Sequence, residues 1–180
     1  ATMATSVFAA DEKSKDGIGT GFYYDADRAK YFSNEKSVFS IKPVSSKEYL
    51  QKIEVSIDGV DFKQYDGTLK FDSEGPHQIR FRSVDLVLNW SPIQTFRIFV
   101  DKTPPKSQPI WKGPTFYKGN DLFINPQTVL NIAAQDNLSG VAKIYWKNGD
   151  TMSVFPAEAA FTKAGSYNYQ VTAVDNVGNK

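Results

Sequence analysis

The chain has 180 residues, with 21 Lys and Arg against 20 Asp and Glu, and no Cys. A formal net charge of +1 without runs of like charge excludes a nucleic-acid-binding surface, and the lack of Cys excludes disulfides, thiol catalysis and cysteine-based zinc sites. The apolar fraction of 41% is that of a globular protein, and no segment approaches the ~18 apolar residues of a membrane-spanning helix.

Residues 1–17 are predicted to be the end of a secretory signal peptide followed by a flexible N-terminus. Small residues lead to Ala9 and Ala10, and the charged stretch Asp11–Lys13 follows at once. This order is typical of a signal-peptidase site, so cleavage is expected after Ala9 or Ala10. The alternative is a disordered tail, because the basic and apolar regions that precede such a site are not in this segment.

Residues 18–101 are predicted to form a first β-domain. Apolar and polar residues alternate, and no segment keeps a helical period for three turns. Turn signals occur at Asp58–Gly59, Asp66–Gly67 and Glu74–Pro76. Strands are expected near residues 37–42, 51–57, 61–65, 67–71, 77–84 and 93–100.

Residues 102–106 are predicted to be a stiff linker, because Pro104 and Pro105 favour polyproline II and lack a donor for a β-ladder. A second β-domain is expected over residues 107–180. Its strands are expected near residues 127–134, 141–147, 151–155, 158–162 and 167–174.

The two domains are copies of one repeating unit. The segment Glu74–Asn89 recurs without a gap, 90 residues later, as Ala164–Asn179, and a weaker match places Phe32–Ile41 over Phe123–Ile132. Short strands at this spacing in about 90 residues are typical of a Greek-key β-sandwich. The chain is therefore predicted to be all-β, with two tandem immunoglobulin-like Greek-key β-sandwich domains.

The second copy stops where the first one continues. The first copy runs on through Trp90–Pro92 into the strand near residues 93–100, whereas the second stops at Lys180. The last strand of domain 2 is therefore expected to be missing from this chain, and either a longer protein or another segment completes the sheet. An open sheet edge invites strand addition, as a liability or as a binding mode.

Motifs of both domains match a known pattern. The matching segments are Asp136–Val141 and Ala173–Asn179 in domain 2, and Ser56–Gly59, Tyr65, Glu74–His77, Ser83–Asp85 and Asn89 in domain 1. These segments resemble a family of bacterial Ig-like repeats labelled as the outer-membrane-protein-type β-barrel domain, of the leptospiral surface-protein type. The resemblance implies export, modular repetition, and use in adhesins or as appendages of secreted enzymes. Domain 1 departs from the family pattern at residues 44–47 and at Leu88, which replaces a glycine.

Three residues are assigned structural roles. The segment Gly165–Tyr169 has the layout of a tyrosine corner, in which the Tyr167 hydroxyl bonds to the backbone upstream. His77 takes the aligned place in domain 1 and is interpreted as a substitute for that tyrosine rather than as a general base. Trp146 lies where such folds keep a buried strand Trp. No catalytic triad or paired-carboxylate pattern can be assembled, so the chain is not expected to be an enzyme.

Trp90, Trp111 and Tyr117 are the candidate ligand-binding residues. They fall beside loops or in the segments that lead into the domains, where a ring can stack on a sugar or contact a protein partner. The alternative is that these rings close the ends of the domains or the interface between them.

Asp136, Asn137, Asp175 and Asn176 are candidate calcium ligands. They belong to two loops that lie at the same end of an Ig-type sandwich, and Ca²⁺ prefers oxygen ligands. The simpler interpretation is that these side chains cap their own turns. No cofactor is therefore expected, and calcium is the one candidate.

The expected function is a non-catalytic bacterial module that serves adhesion, binds an unidentified protein or glycan, or acts as a spacer. Export is expected to the periplasm, the cell surface or the extracellular space. The alternative is a pair of carbohydrate- or cell-wall-binding accessory domains in a larger secreted hydrolase. Neither a nucleic-acid partner nor a membrane-spanning segment is expected.

Overall fold

A computed structural model describes residues 5–7, 21–37, 39–43, 49–67 and 69–180. These residues form an all-β structure with several sheets and no helix. No helix in the described ranges is therefore long and apolar enough to cross a membrane. The chain divides into two compact units, unit 1 (Ala1–Lys102) and unit 2 (Thr103–Lys180). The predicted signal-peptide cleavage site lies outside the described residues.

Unit 1 is built around one six-stranded sheet with the order β2-β3-β8-β7-β5-β6. Strands β3 and β8 are parallel, the other neighbours in this sheet are antiparallel, and β1 pairs separately with β4. The described strands are β1 (Thr5–Val7), β2 (Phe22–Asp25), β3 (Lys30–Ser33), β4 (Ile41–Pro43), β5 (Leu50–Ile57), β6 (Lys63–Gln64), β7 (Gly75–Asp85) and β8 (Gln94–Val100).

The core of unit 1 follows from the two-residue period of its strands. In β7, His77, Ile79 and Phe81 are buried, while the residues between them are partly exposed. Each apolar side chain buried in this way stabilises the unit by about 1.5–3 kcal/mol. The buried core cluster consists of Phe39, Ile41, Ile53, Leu69, Ile79, Phe81 and Ile98.

Unit 2 has two three-stranded sheets, with the orders β15-β12-β9 and β14-β13-β16, and a separate hairpin of β10 and β11. Its core cluster takes Leu130 from the first sheet and Trp146 and Tyr169 from the second, so the two sheets pack face to face. The strands are β9 (Lys106–Lys112), β10 (Thr115–Lys118), β11 (Asp121–Ile124), β12 (Val129–Gln135), β13 (Val141–Asn148), β14 (Thr151–Val154), β15 (Ala159–Ala160) and β16 (Tyr169–Asp175).

The sequence repeat is also a repeat of hydrogen bonds. After β3, the Asn34 side chain accepts a hydrogen bond from the Lys36 amide at 2.9 Å. After β11, the Asn125 side chain accepts one from the Gln127 amide at 2.9 Å. Strand β11 is thus the counterpart of β3, and the alignment likewise makes β16 the counterpart of β7.

Several strands differ from the prediction. β1, β2, β3, β9, β10 and β11 were not predicted. β1 lies within residues 1–17, which were expected to be flexible, and β9 begins at Lys106, which was expected to be part of the linker. Pro109 interrupts the strand pattern of β9 in the sequence. The strand forms nevertheless, because β9 lies at the edge of its sheet, where a missing backbone donor is tolerated. The prediction of a strand near residues 67–71 is wrong for the described residues 69–71. The apolar residue Leu69 is buried there, but it joins no β-ladder.

Candidate functional site

A cavity of about 1110 Å³ opens within unit 2, between the turn after β10, strand β11 and the segment that leads into β16. Its wall is rich in aromatic rings, and Asp121 and Lys163 are the only charged residues among those lining it. Trp111, Leu130 and Ile132 contribute from the facing sheet. The cavity is therefore nearly neutral, with aromatic and other apolar side chains beside polar ones such as Gln108, Asn120 and Asn168.

The aromatic rings of the cavity wall support one another. The Phe161 and Tyr167 rings have centroids 4.8 Å apart, and Tyr169 lies 5.9 Å from Phe161. On its other side Tyr169 stacks on Trp146 at 4.6 Å and 14°. Trp111 lies 6.0 Å from Phe161. Because aromatic pairs at these spacings hold one another in place, the wall presents a preformed set of ring faces.

Of the three candidate ligand-binding residues, the structure brings only Trp111 to the cavity. Tyr117 lies on β10 with 64% of its surface exposed, outside the cavity lining. Its cross-strand neighbour is Leu122, whereas Phe116 pairs with Phe123, so Tyr117 is on the other face of the hairpin. Tyr117 thus shares its face with Leu122, which lines the cavity, but Tyr117 itself is outside that lining.

Trp90 belongs to unit 1 and stacks on the outer face of the sheet. The Arg82 guanidinium lies 3.8 Å from the Trp90 ring centroid and 4.3 Å from the Phe62 ring, so both rings contact one cation. Glu54 holds Arg82 in place with a 2.9 Å ion pair and also pairs with Lys52 at 2.7 Å. This arrangement fixes Trp90 by cation–π contacts and leaves 49% of its surface exposed.

The pKa of Glu54 reflects these cations. Burial raises it, but the hydrogen bonds and charges of Lys52 and Arg82 outweigh that effect, so the Glu54 pKa lies below its ordinary value. Glu54 is thus ionised at neutral pH and keeps the Arg82 guanidinium stacked against the two rings.

His77 and Tyr167 make the same backbone contact in the two units. The Tyr167 hydroxyl donates to the carbonyl of Lys163 at 2.5 Å, and His77 Nε2 lies 2.9 Å from the carbonyl of Ser73. In each unit the acceptor lies four residues upstream. The second His77 nitrogen, Nδ1, lies 2.6 Å from Asp58 Oδ2. Both ring nitrogens of the single histidine are therefore engaged.

Asp58 links this histidine to a turn. Its Oδ1 accepts a 2.8 Å hydrogen bond from the Gln78 amide, and Asp58 and Gly59 both have positive φ, of 52° and 82°. Burial raises the Asp58 pKa, but the bonds from Gln78 and His77 outweigh it and lower the pKa below its ordinary value.

The candidate calcium ligands lie in two loops that contact each other. Asn176 Nδ2 donates to the carbonyls of Ser139 and Gly140, at 2.8 and 3.0 Å. Carboxylate oxygens of Asp136 and Asp175 lie within 4.8 Å of each other, whereas Asn137 is exposed. Asp136 Oδ1 also accepts hydrogen bonds from the amides of its own turn, Leu138 at 3.0 Å and Gly140 at 2.7 Å.

Asp175 shapes its turn in the way that Asp85 does in unit 1. Asp175 Oδ1 accepts from the amides of Val177 and Asn179, both at 2.9 Å, and Oδ2 accepts from the Asn179 side chain at 2.7 Å. Asp85 makes the same three bonds with Val87 and Asn89, at 3.0, 2.8 and 2.9 Å. The repeated Asp-x-Val-x-Asn motif is thus a turn motif.

Sequence reasoning missed Phe123, Phe161 and Tyr169 as parts of the cavity. The one signal in the sequence is that Phe123 aligns with Phe32, and it becomes informative only with the structure, in which Phe32 is buried beside β8.

No model of a known protein family matches the chain, and no curated protein matches it either. A functional assignment therefore rests on the residues and geometry described above.

Proposed function

We propose that the protein is a non-catalytic binding module of a secreted or surface-displayed bacterial protein, and that unit 2 binds its ligand in the aromatic-lined cavity. The observation that carries this proposal is the cavity itself, about 1110 Å³ and lined by Trp111, Phe123, Phe161, Tyr167 and Tyr169. Ligand sites in proteins are typically concave, with aromatic and apolar side chains beside polar groups that orient the ligand.

The chemistry of the cavity favours a neutral ligand. Asp121 and Lys163 carry opposite charges, so the wall has no net field to attract an ion. Ring faces bind the apolar side chains of a polypeptide or the faces of a sugar. The rings lose little conformational entropy on binding, because their contacts with one another already fix their positions. A protein or glycan partner therefore fits this wall.

A binding role without catalysis is supported by the titratable groups. His77 lies in unit 1 with both ring nitrogens bonded, and no other described residue is a histidine. In the cavity, Asp121 has no second carboxylate beside it among the lining residues. General acid–base catalysis needs positioned proton donors and acceptors of that kind.

The proposal includes an Ig-like Greek-key assignment for both units and export of the protein. The assignment is supported by the repeated strands and turns, by the face-to-face sheets of unit 2, and by the resemblance of Asp136–Val141 and Ala173–Asn179 to the bacterial Ig-like repeats. Export is supported by the pattern around Ala9 and Ala10.

Binding of the purified chain to an array of glycans, cell-wall fragments and extracellular matrix proteins tests the proposal. We expect saturable binding that Trp111→Ala abolishes, while Trp90→Ala and Tyr117→Ala bind like the parent because those rings lie outside the cavity. Circular dichroism of each variant checks its fold. Undiminished binding by folded Trp111→Ala, or loss of binding in Trp90→Ala, would place the site elsewhere and contradict the proposal.

A further inference from the structure

Three cations lie side by side on the outer face of the unit 1 sheet: Lys30 on β3, Arg97 on β8 and Arg80 on β7. These strands are neighbours in the middle of the sheet, with β8 between the other two. The residues on either side of Arg80 and Arg97 along their strands pack into the core, so the two guanidinium groups lie on the opposite face. Arg80 is paired with Thr95, and Arg97 with Gln78. The Cβ atoms of Arg80 and Arg97 are therefore diagonal neighbours, about 7–8 Å apart.

Lys30 extends this pair into a row. The parallel pairing of Phe32 with Phe99 places Lys30 beside Arg97, because each lies two residues before the paired residue on its own strand. The Lys30 ammonium also lies 4.5 Å from the centroid of the Phe99 ring, and an aromatic face attracts a cation at this distance. We refer to Lys30, Arg97 and Arg80 as the cation row.

Two other cations of this face are ion-paired, whereas the cation row is not. Arg28 binds Asp25 at 2.5 Å, and Arg82 binds Glu54 at 2.9 Å. Asp25 lies opposite Lys30, but Arg28 bonds to both oxygens of the Asp25 carboxylate, at 2.9 and 2.5 Å. No carboxylate of a described residue forms an ion pair with a member of the cation row. The positive charge of the row is therefore uncompensated among these residues.

The fold does not require the cation row. Like charges on neighbouring strands destabilise a sheet. In unit 2 the counterparts of Lys30 and Arg80 are Asp121 and Gln170, so the repeat forms without these charges. A group of uncompensated cations attracts an anion, and the guanidinium fork matches the oxygens of a carboxylate, sulfate or phosphate group. The cation row is therefore suited to an anionic ligand.

The surroundings of the cation row favour a polysaccharide over a polypeptide or a nucleic acid. All three strands have a neighbour on each side, so no backbone edge is open for a peptide to pair with. A protein that binds duplex DNA tightly makes about 6–10 phosphate contacts, whereas the row offers three cations. The polar side chains of Gln78 and Thr95 lie next to the cations and can exchange hydrogen bonds with sugar hydroxyls.

We propose that the cation row binds a linear polysaccharide that carries carboxylate or sulfate groups. The acidic groups contact Lys30, Arg97 and Arg80, and the hydroxyls bond to Gln78 and Thr95. This inference goes beyond the proposed function, because the site is on unit 1 and its ligand is charged, whereas the cavity of unit 2 takes a neutral ligand. The two sites are therefore tested with different ligands.

The test titrates the 180-residue chain with oligosaccharides of heparin and of polygalacturonate, as sulfated and carboxylated probes, by calorimetry. Arg80→Gln combined with Arg97→Gln is expected to weaken binding by about tenfold or more, because two charge-assisted contacts are lost. The slope of the logarithm of the binding constant against the logarithm of the salt concentration is expected to fall by about two in this variant, since each ion pair releases counterions.

The matched control combines Lys36→Gln with Lys70→Gln. It removes the same net charge from exposed positions outside the strands, and it is expected to bind like the parent. Circular dichroism checks the fold of both double variants. Equal losses in the two double variants would show that only net charge matters and would overturn the inference, as would no binding of either probe. Equally tight binding of polyglutamate or duplex DNA, with the same loss, would overturn the choice of a polysaccharide.

Trp111→Ala separates this site from the cavity. The inference predicts that Trp111→Ala binds the acidic oligosaccharides like the parent. If Trp111→Ala loses them while the arginine double variant keeps them, the cavity is their site, so the inference fails and the proposed function stands. If the arginine double variant loses them and no neutral ligand binds to the cavity, the proposed function fails and the inference stands.

Discussion

The same repeat position is buried in unit 1 and half-exposed in unit 2. Phe32 and Phe123 stand in equivalent strands, yet 1% of the first side chain is exposed and 52% of the second. The difference follows from the neighbours. Tyr23, Arg28 and Phe99 of β8 contact the Phe32 ring, whereas Phe123 has a described ring contact with Phe116. Whether a side chain is buried thus depends on the residues beside it in the folded sheet. The hydrophobic pattern of one strand does not reveal those neighbours.

The largest expected effect comes from truncating these two rings. Phe32→Ala should destabilise unit 1 by about 3–5 kcal/mol, because it leaves a cavity in a packed core. Phe123→Ala should cost unit 2 less than about 1 kcal/mol, because the ring is already half in solvent. Denaturant titrations followed by hydrogen exchange read the two units separately. Similar losses at both positions would mean that Phe123 is buried in solution and would break the comparison.

A smaller effect is expected from acid. The folded-state pKa of Asp58 is lowered, so ionised Asp58 stabilises unit 1 above about pH 4, and this contribution is lost as the pH falls through the lowered pKa. Since 44% of the side chain is exposed, the contribution is below about 1 kcal/mol.

Asp58→Asn introduces the residue that unit 2 has at this turn, Asn148. We expect this variant to lower the stability of unit 1 at neutral pH and to flatten the pH dependence of that stability below about pH 5, measured by urea unfolding. An unchanged slope in acid would exclude Asp58 as its source.

The smallest effect concerns one backbone angle in the repeated Asp-x-Val-x-Asn turn. Leu88 has a φ of 67° where unit 2 has Gly178 with a φ of 94°. A left-handed conformation costs a non-glycine residue about 1–2 kcal/mol, and the greater freedom of unfolded glycine offsets about 0.5–1 kcal/mol of that. Leu88→Gly should therefore raise the stability of unit 1 by about 0.5 kcal/mol, and Gly178→Ala should lower that of unit 2. A lower melting temperature for Leu88→Gly would show that the Leu88 side chain stabilises the turn.

Sequence reasoning predicted the long, half-buried strands and missed the strands at the start of each unit. β5, β7, β13 and β16 alternate apolar and polar residues and were placed within a few residues of their bounds. The β10–β11 hairpin was missed because β10 is exposed on both faces, which removes the alternation. β9 was missed because of its proline.

The candidate site was only partly predictable, because its members are far apart in the sequence. Trp111 was singled out for its place beside a loop, but its grouping with Phe161 and Tyr169 depends on how two sheets face each other. Trp90 had the same local signal, yet it stacks on Arg82 in the other unit. The local sequence shows which residues carry aromatic rings, but tertiary packing determines which residues those rings contact.

The start of β2 and the end of β8 lie close together in unit 1, because both bond to the end of β3. The carbonyl of Gly21 accepts a hydrogen bond from Asn34 just before β2, and the amide of Asp101 donates to Ser33 just after β8. A short linker from residue 102 to residue 21 would therefore allow a circular permutant, reopened between β7 and β8, that keeps every pair of the six-stranded sheet. In that permutant β8 would precede β2, so the position of this strand in the sheet does not require the covalent order in which it is synthesised.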